Sequence, residues 1–277
     1  MAYGICVEVW GDRALFTRPE LSVERVSYDA MTPSAARGLL ESIYWHPGMR
    51  YTIDRIHVLN PIRFTNVRRN EVKSKALAST MRTAATGGGK LPYINTKDDI
   101  QQRASLILID VRYVIEAHFD LTDKATPDDN AGKFKDIIRR RLERGQCYSM
   151  PYFGTREFPA HFKACEEVPS SCGFYADESE RDLGFMLYDM DYRDPKNIAP
   201  MFFRAVMRNG VIDVAGSEVF RGSFKRWSAF TSISLKSILR RSLGWGGARV
   251  RWRSCWCCRP RANWSMLFHP MRSAVGR

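Results

Sequence analysis

The run Leu106-Ile-Leu-Ile-Asp-Val-Arg-Tyr-Val-Ile-Glu-Ala-His-Phe-Asp-Leu121 decides the fold, because it carries the clearest alternation in the chain. Val111, Tyr113, Ile115, Ala117, Phe119 and Leu121 share one parity, while Asp110, Arg112, Glu116, His118 and Asp120 occupy the other. Side chains leave a strand on opposite faces in turn, so the pattern predicts one long strand, or two in line. One face belongs to a core; the other is polar and titratable.

Upstream, Ile5 to Trp10 predicts a strand ending at Gly11. Thr32 reads as an N-cap and Pro33 as a first helical residue, and Leu39, Leu40, Ile43 and Tyr44 recur at helical spacing to about Trp45, before Pro47. Tyr51 to Leu59 and Phe64 to Val72 predict two strands separated by a turn at Asn60-Pro61. Residues 73–104 have little periodicity and read as a mobile loop containing Thr86-Gly-Gly-Gly-Lys90. Three glycines can leave backbone N–H groups free for a phosphate, but no Ser or Thr follows Lys90 as a P-loop requires.

Downstream, Asp128, Asp129 and Asn130 are N-cap candidates for a helix from about Ala131 to Arg144, with Phe134, Ile137, Ile138 and Leu142 as its buried stripe and Gly145 as its stop. Arg139, Arg140, Arg141 and Arg144 crowd its end, either complementing the helix dipole or meeting RNA. Short strands are predicted around Gln146 to Tyr152, Phe185 to Tyr192 and Met201 to Met207, and Asn209-Gly210 marks a hairpin into Val211, Ile212 and Val214. The order predicts an α+β fold, ferredoxin-like (RRM-like) in its N-terminal part, with a C-terminal antiparallel β-sheet portion. The divisions are 1–125 with the basic glycine-rich insertion near 73–104, 126–221, and a tail of 222–277. Such a fold hosts many functions and selects none.

The 277 residues carry 43 Lys+Arg against 30 Asp+Glu. Residues 222–277 hold 12 of the basic residues, five of the seven tryptophans and three of the seven cysteines, with no acid. The remaining 221 residues balance 31 basic against 30 acidic, so the high pI belongs to the tail and does not by itself make the body a nucleic-acid binder. No stretch approaches the roughly 18 apolar residues of a membrane helix, and Met1 to Trp10 lacks a signal-peptide pattern, so no membrane partner is expected and the cytoplasm is. Cys255, Cys257, Cys258 and His269 are spaced too tightly to favour a structural zinc, and no metal or other cofactor is expected. The Arg/Trp/Cys-rich tail reads as disordered or as translation in a shifted frame; a segment that stacks on single-stranded RNA or lies on an anionic membrane is the alternative.

Within the balanced body, Arg63, Arg68, Arg69, Lys73, Lys75, Arg82 and Lys90 stand against the single acid Glu71. Phosphate-backbone binding needs such local density, although a solvated basic edge strand that deters aggregation has the same composition. His118 is the natural acid/base candidate, since an imidazole titrates near neutrality and this one falls on the polar parity.

Four runs then carry a resemblance: Gly38-Leu-Leu-Glu-Ser-Ile-Tyr-Trp-His-Pro47, Pro61-Ile-Arg-Phe-Thr-Asn-Val-Arg-Arg-Asn-Glu-Val72, Gly145-Gln-Cys-Tyr-Ser-Met-Pro-Tyr-Phe-Gly-Thr-Arg-Glu-Phe158 and Leu183-Gly-Phe-Met-Leu-Tyr-Asp-Met-Asp-Tyr192. Together, over roughly residues 4–221, they resemble the CRISPR-associated Cas-five family of subtype I-C, within the repeat-associated RAMP superfamily. The resemblance implies a metal-independent endoribonuclease that cuts precursor CRISPR RNA in the repeat and stays in the surveillance complex with its other subunits. The ribose 2′-OH attacks the adjacent phosphate, leaving a 2′,3′-cyclic phosphate and a 5′-OH. It further implies His118 as acid or base and Tyr44 as the active-site tyrosine, with His46 beside it. The family pattern puts a lysine before the histidine, where this chain has Ala117, so the phosphate charge falls to Arg112, Lys90 or the 63–75 cluster. RNA contacts are expected from Arg63, Arg68, Arg69, Lys73, Lys75, Arg82, Arg139 and Arg140. The alternative is a catalytically weak or inactive subunit that caps the 5′ handle of the CRISPR RNA, and binding of duplex DNA is a further option. An RRM-type module lacks its aromatic signature run here.

Overall fold

In the computed structural model, residues 3–21, 24–87, 93–165, 173–194 and 196–221 are described. Along the chain they form β1 (Tyr3–Ala14), β2 (Arg25–Val26), α1 (Pro33–Ile43), β3 (Met49–Val58), β4 (Phe64–Val72), α2 (Ala78–Ala85) and β5 (Ile100–Leu121). After these come α3 (Ala131–Arg144), β6 (His161–Ala164), β7 (Arg181–Asp191), β8 (Ala199–Arg208), β9 (Val211–Asp213) and β10 (Val219–Arg221). The architecture is α+β, a mostly antiparallel sheet with few helices. No described helix is long and apolar enough to cross a membrane. Lys90, its neighbouring glycines Gly88 and Gly89, and the whole 222–277 tail with its cysteines lie outside the described residues.

The predicted strand from Leu106 to Leu121 is the C-terminal part of a longer one. β5 spans 22 residues, and β1, β2, β3 and β4 all pair with it. The sheet runs β10-β8-β9-β3-β5-β1-β6, with β7 on β8. Among the described strands only β2 is parallel to its partner. Residues 100–108 of β5 take β4, and residues 113–121 take β3. The exchange of partners falls at the Asn60-Pro61 turn, and there Asp110 adopts φ 54°. Asn60 Nδ2 donates to the Asp110 carbonyl at 2.9 Å and its carboxylate at 3.1 Å, so the left-handed residue is held by its neighbour across the turn.

The apolar parity of β5 makes the core. Tyr113, Ile115, Ala117 and Phe119 are buried with Val7 and Val9 of β1 and Ile53 and Ile56 of β3. α1 closes this face against β3 and β7, and α3 packs on β1, β6 and α1. Phe119, Phe134, Tyr51 and Tyr44 join the layers through tilted and edge-on ring contacts, 6.1–6.4 Å between centroids. Both long helices carry the caps read from the sequence: Thr32 accepts from the Ala35 N–H and Asn130 from the Lys133 N–H, and Gly145 closes α3 at φ 62°. Asn209 and Gly210, at φ 49° and 79°, turn β8 into β9.

Two expectations are corrected. Residues 73–104 are not all loop, because α2 and the start of β5 lie within them; α2 buries none of its residues, which is why no apolar period announced it. Gln146 to Tyr152 forms no strand. The backbone N–H of Tyr148 goes to the Ser42 and Ile43 carbonyls at the end of α1, and Pro151 has none to offer a ladder. The same segment then delivers Phe153, fully buried against Phe16 and Tyr113. Gly11 makes room for that ring, since a Cβ there would lie 2.9 Å from it.

Gly154 follows at φ +80°, where a Cβ would lie 1.9 Å from the Leu15 carbonyl oxygen. Gly154→Ala is expected to destabilise the fold by on the order of 3 kcal/mol through backbone strain and displacement of β1. Thermal melting should report a drop of roughly 6–12 °C.

Candidate functional site

On the polar face of β5, His118 is flanked by Gly4 of β1 and Thr52 of β3. A Cβ at Gly4 would meet nothing within 4 Å, so the imidazole is open on that side. On the other side β3 carries a bulge: its register with β5 shifts between Ile53 and Arg55, leaving Asp54 as the extra residue. The bulge is anchored by the backbone N–H groups of Val214 and Ala215, which donate to the Asp54 carbonyl at 2.9 and 3.0 Å. It turns the Asp54 carboxylate onto the ring, with Oδ1 and Oδ2 2.8 and 2.9 Å from His118 Nδ1. Asp120 Oδ2 lies 3.7 Å from Nε2. A carboxylate on Nδ1 holds that nitrogen protonated and leaves Nε2 as the exchangeable position.

Arg50 stands opposite Asp120 in the β3–β5 register, hence diagonal to His118, about 7–8 Å away and within reach of a long side chain. It is exposed, and among the described residues it has no acidic partner at salt-bridge distance. Neither Asp54 nor Arg50 emerged from the sequence as a site residue. The broken alternation from Ile53 to Ile56 was the available signal for the bulge.

The rest of the polar face is tied up internally. Glu116 Oε1 lies 2.6 Å from His57 Nε2, and Oε2 lies 3.6 Å from Arg55. Glu8 takes Arg112 Nε at 2.6 Å and Lys163 Nζ at 3.0 Å. Burial pushes the Glu8 carboxyl up, but its hydrogen bonds with Lys163 and Arg112 outweigh that and hold it below the ordinary value. Arg112 is therefore committed to Glu8, six residues along β5 from His118 and so about 20 Å away. Burial and the adjacent Cys165 push the Cys6 thiol up to about 12, which keeps it protonated and a poor nucleophile.

Tyr44 and His46 form a second grouping, on the helix-covered side. Tyr44 is buried beside Phe134, with the Arg141 guanidinium 5.0 Å over its ring. Burial raises its hydroxyl above the ordinary value, Arg141 partly opposing this. His46 Nδ1 accepts from the Gly48 N–H at 3.1 Å and lies 3.8 Å from Asp129, whose carboxyl is held low by the Thr126 backbone N–H. Tyr44 packs in the core with Phe119 and Phe134, whereas His118 leaves the opposite face of β5, so the fold does not bring Tyr44 and His118 together.

β4 and residues 100–108 of β5 form an antiparallel ribbon that carries the start of the basic run, with β2 on the other edge of β5 at Ser105 and Leu106. Arg68, Lys73, Lys75 and, on α2, Arg82 are exposed without a described acidic partner. Arg63 is paired with Asp110, and Arg69 with Glu157 while it covers the Phe158 ring at 5.5 Å. Arg139 is within 3.5 Å of Asp136 and 3.9 Å of Glu143, and Arg140 is exposed.

Residues 4–215 match the profile of a family described as CRISPR-associated protein (Cas_Cas5). The chain is 48% identical over 217 residues to the CRISPR pre-crRNA endoribonuclease Cas5d of Mannheimia succiniciproducens, covering 77% of this chain and 96% of that protein. It is 40% identical over 226 residues to the protein of the same name from Thermus thermophilus, covering 75% and 90%. A crystal structure of a CRISPR-associated protein superposes with TM-score 0.58 at 23% identity, covering 80% of this chain and 97% of that one, a likeness of fold. With a profile match across most of its length and two relatives well above 30% identity, this chain belongs to the Cas5d family of CRISPR-associated proteins.

Proposed function

We propose that the protein is an endoribonuclease that cuts precursor CRISPR RNA within its repeat, without a metal, and stays with the product among the other subunits of a surveillance complex in the cytoplasm. The observation that carries this reading is the His118–Asp54 pair on an open sheet face, with Arg50 as a free cation beside it. The names of the two relatives support the substrate.

His118 Nε2 makes one of the two proton transfers, taking the proton of the attacking 2′-OH or giving one to the departing 5′-oxygen, with water making the other, while Asp54 fixes the tautomer and stabilises the imidazolium. The 2′-oxygen bonds to phosphorus as the P–O5′ bond breaks, giving the cyclic phosphate and a 5′-OH. Arg50 neutralises the phosphate, the task the family lysine would have where this chain has Ala117. A lysine at 117 would emerge on the buried face, since Ala117 is 2% exposed. Arg68 on the ribbon, Lys73 and Lys75 just beyond it, Arg82 on α2 and Arg140 on α3 hold the strand electrostatically. With Arg112 committed to Glu8, this reading assigns it no part in the chemistry.

The finer fold reading belongs here too. The order β6-β1-β5-β3, with α1 joining β1 to β3 and α3 joining β5 to β6, supports a ferredoxin-like unit to which β7–β10 add an antiparallel portion. The second functional reading, a non-cleaving subunit that caps the 5′ handle, is favoured by the separation of Tyr44 from His118 and by Ala117.

In EDTA, repeat RNA should be cut once, with a cyclic-phosphate end. His118→Ala should slow single-turnover cleavage by about 10²–10⁴ without weakening RNA binding. Intact RNA with wild type selects the capping reading. Undiminished cleavage by His118→Ala, with loss in Tyr44→Phe, moves the chemistry to the helix side. Asp54→Asn should cost about 10-fold or more by freeing the wrong tautomer. Arg50→Ala should cost on the order of 10²-fold, with Arg50→Lys recovering part of it; equal rates for all three Arg50 proteins would remove that residue from the site.

A further inference from the structure

The Gly145 to Phe158 run lies far from His118 in function so far, yet its first half is held in an unusual place. The Gln146 N–H donates to the Arg141 carbonyl at 2.8 Å, and the Tyr148 and Ser149 N–H groups to the Ser42 carbonyl at 2.9 and 3.0 Å. Arg141 also donates to the Ile43 carbonyl. These bonds lash three segments into one surface: the end of α1 running into Trp45, the last turn of α3, and residues 146–150.

That surface combines exposed aromatics with uncompensated cations. Tyr148 is 83% exposed, Met150 69% and Trp45 57%. No described aromatic or cationic group contacts the Tyr148 or Trp45 ring. Arg140 and Arg144, one helical turn apart, are exposed and have no acidic partner among the described residues, whereas Arg139 neutralises Glu143. Large apolar groups left in water beside unpaired guanidiniums suit a polyanion that presents flat π-faces, which is single-stranded nucleic acid. A protein partner would use the same residue types, and it is the two uncompensated guanidiniums that favour a polyanion.

We infer that Trp45 and Tyr148 are a stacking platform for unpaired bases of the RNA, with Arg140 and Arg144 on the phosphates. The inference rests on the RNA reading above and adds a second site for the same ligand, on the other side of the sheet from His118. It holds the strand away from the reacting atoms, so it acts on binding and not on the chemical step.

The test compares full-length wild type, Trp45→Ala with Tyr148→Ala, Trp45→Phe with Tyr148→Phe, and Arg140→Ala with Arg144→Ala, all with matching thermal melts. The probes are the protein's own repeat RNA, oligoadenylate and oligouridylate. The double alanine variant should raise Kd about 10- to 100-fold with an unchanged salt slope, the phenylalanine pair should largely restore affinity, and oligoadenylate should outbind oligouridylate. The arginine pair should lower the salt slope by about 1–2. Cleavage at saturating protein by the Trp45 and Tyr148 variants should match wild type. If wild type binds repeat RNA and the double alanine variant binds it equally well, the platform is refuted while the RNA reading stands, even if assembly with other subunits fails, a result that would mark a protein interface. If wild type binds no RNA, both fall.

Discussion

Everything in this molecule hangs on one strand. β5 is long enough to pair with β3 along one half and β4 along the other while β1, from Leu108 to Phe119, and β2, at Ser105 and Leu106, take its opposite edge. Strict alternation then commits each residue to a face. Ala117 and Phe119 go to the helices, and His118 between them goes to the open side. A slip of one residue would bury the imidazole and expose the phenylalanine, so packing the core and presenting the histidine are one constraint.

The distortions of that sheet fall beside the candidate site. The β3 bulge costs a ladder position and in return aims Asp54 at His118. The left-handed Asp110 lets β5 pass from the packed sheet into the basic ribbon, which has little core to cover it: β4 alternates only between exposed and half-buried. A polar face of this kind is mostly self-satisfied, with Glu8 and Glu116 each held by two basic groups. The His118 neighbourhood differs in having an open flank at Gly4 and a free arginine, the two features on which the proposed cleavage of a phosphodiester relies.

Much of this was legible along the chain. The caps of α1 and α3, the Asn209-Gly210 hairpin, β4 and the parity of His118 all follow from local rules that act over a few residues. α2 escaped because it buries nothing and so carries no period. The supposed strand at 146–152 failed because its N–H groups found carbonyls on α1, over a hundred residues earlier, a choice local propensity does not encode.

The site divides the same way. Residue type and alternation were sufficient to single out His118 and the basic run of 63–82, since both are properties of a strand considered alone. Asp54, Arg50 and the Trp45–Tyr148 surface depended on which strand lies beside which, in what register, and on which helix end receives a loop. Those are contacts between segments far apart in the chain, set by the packing of the whole core, and only the folded molecule contains them.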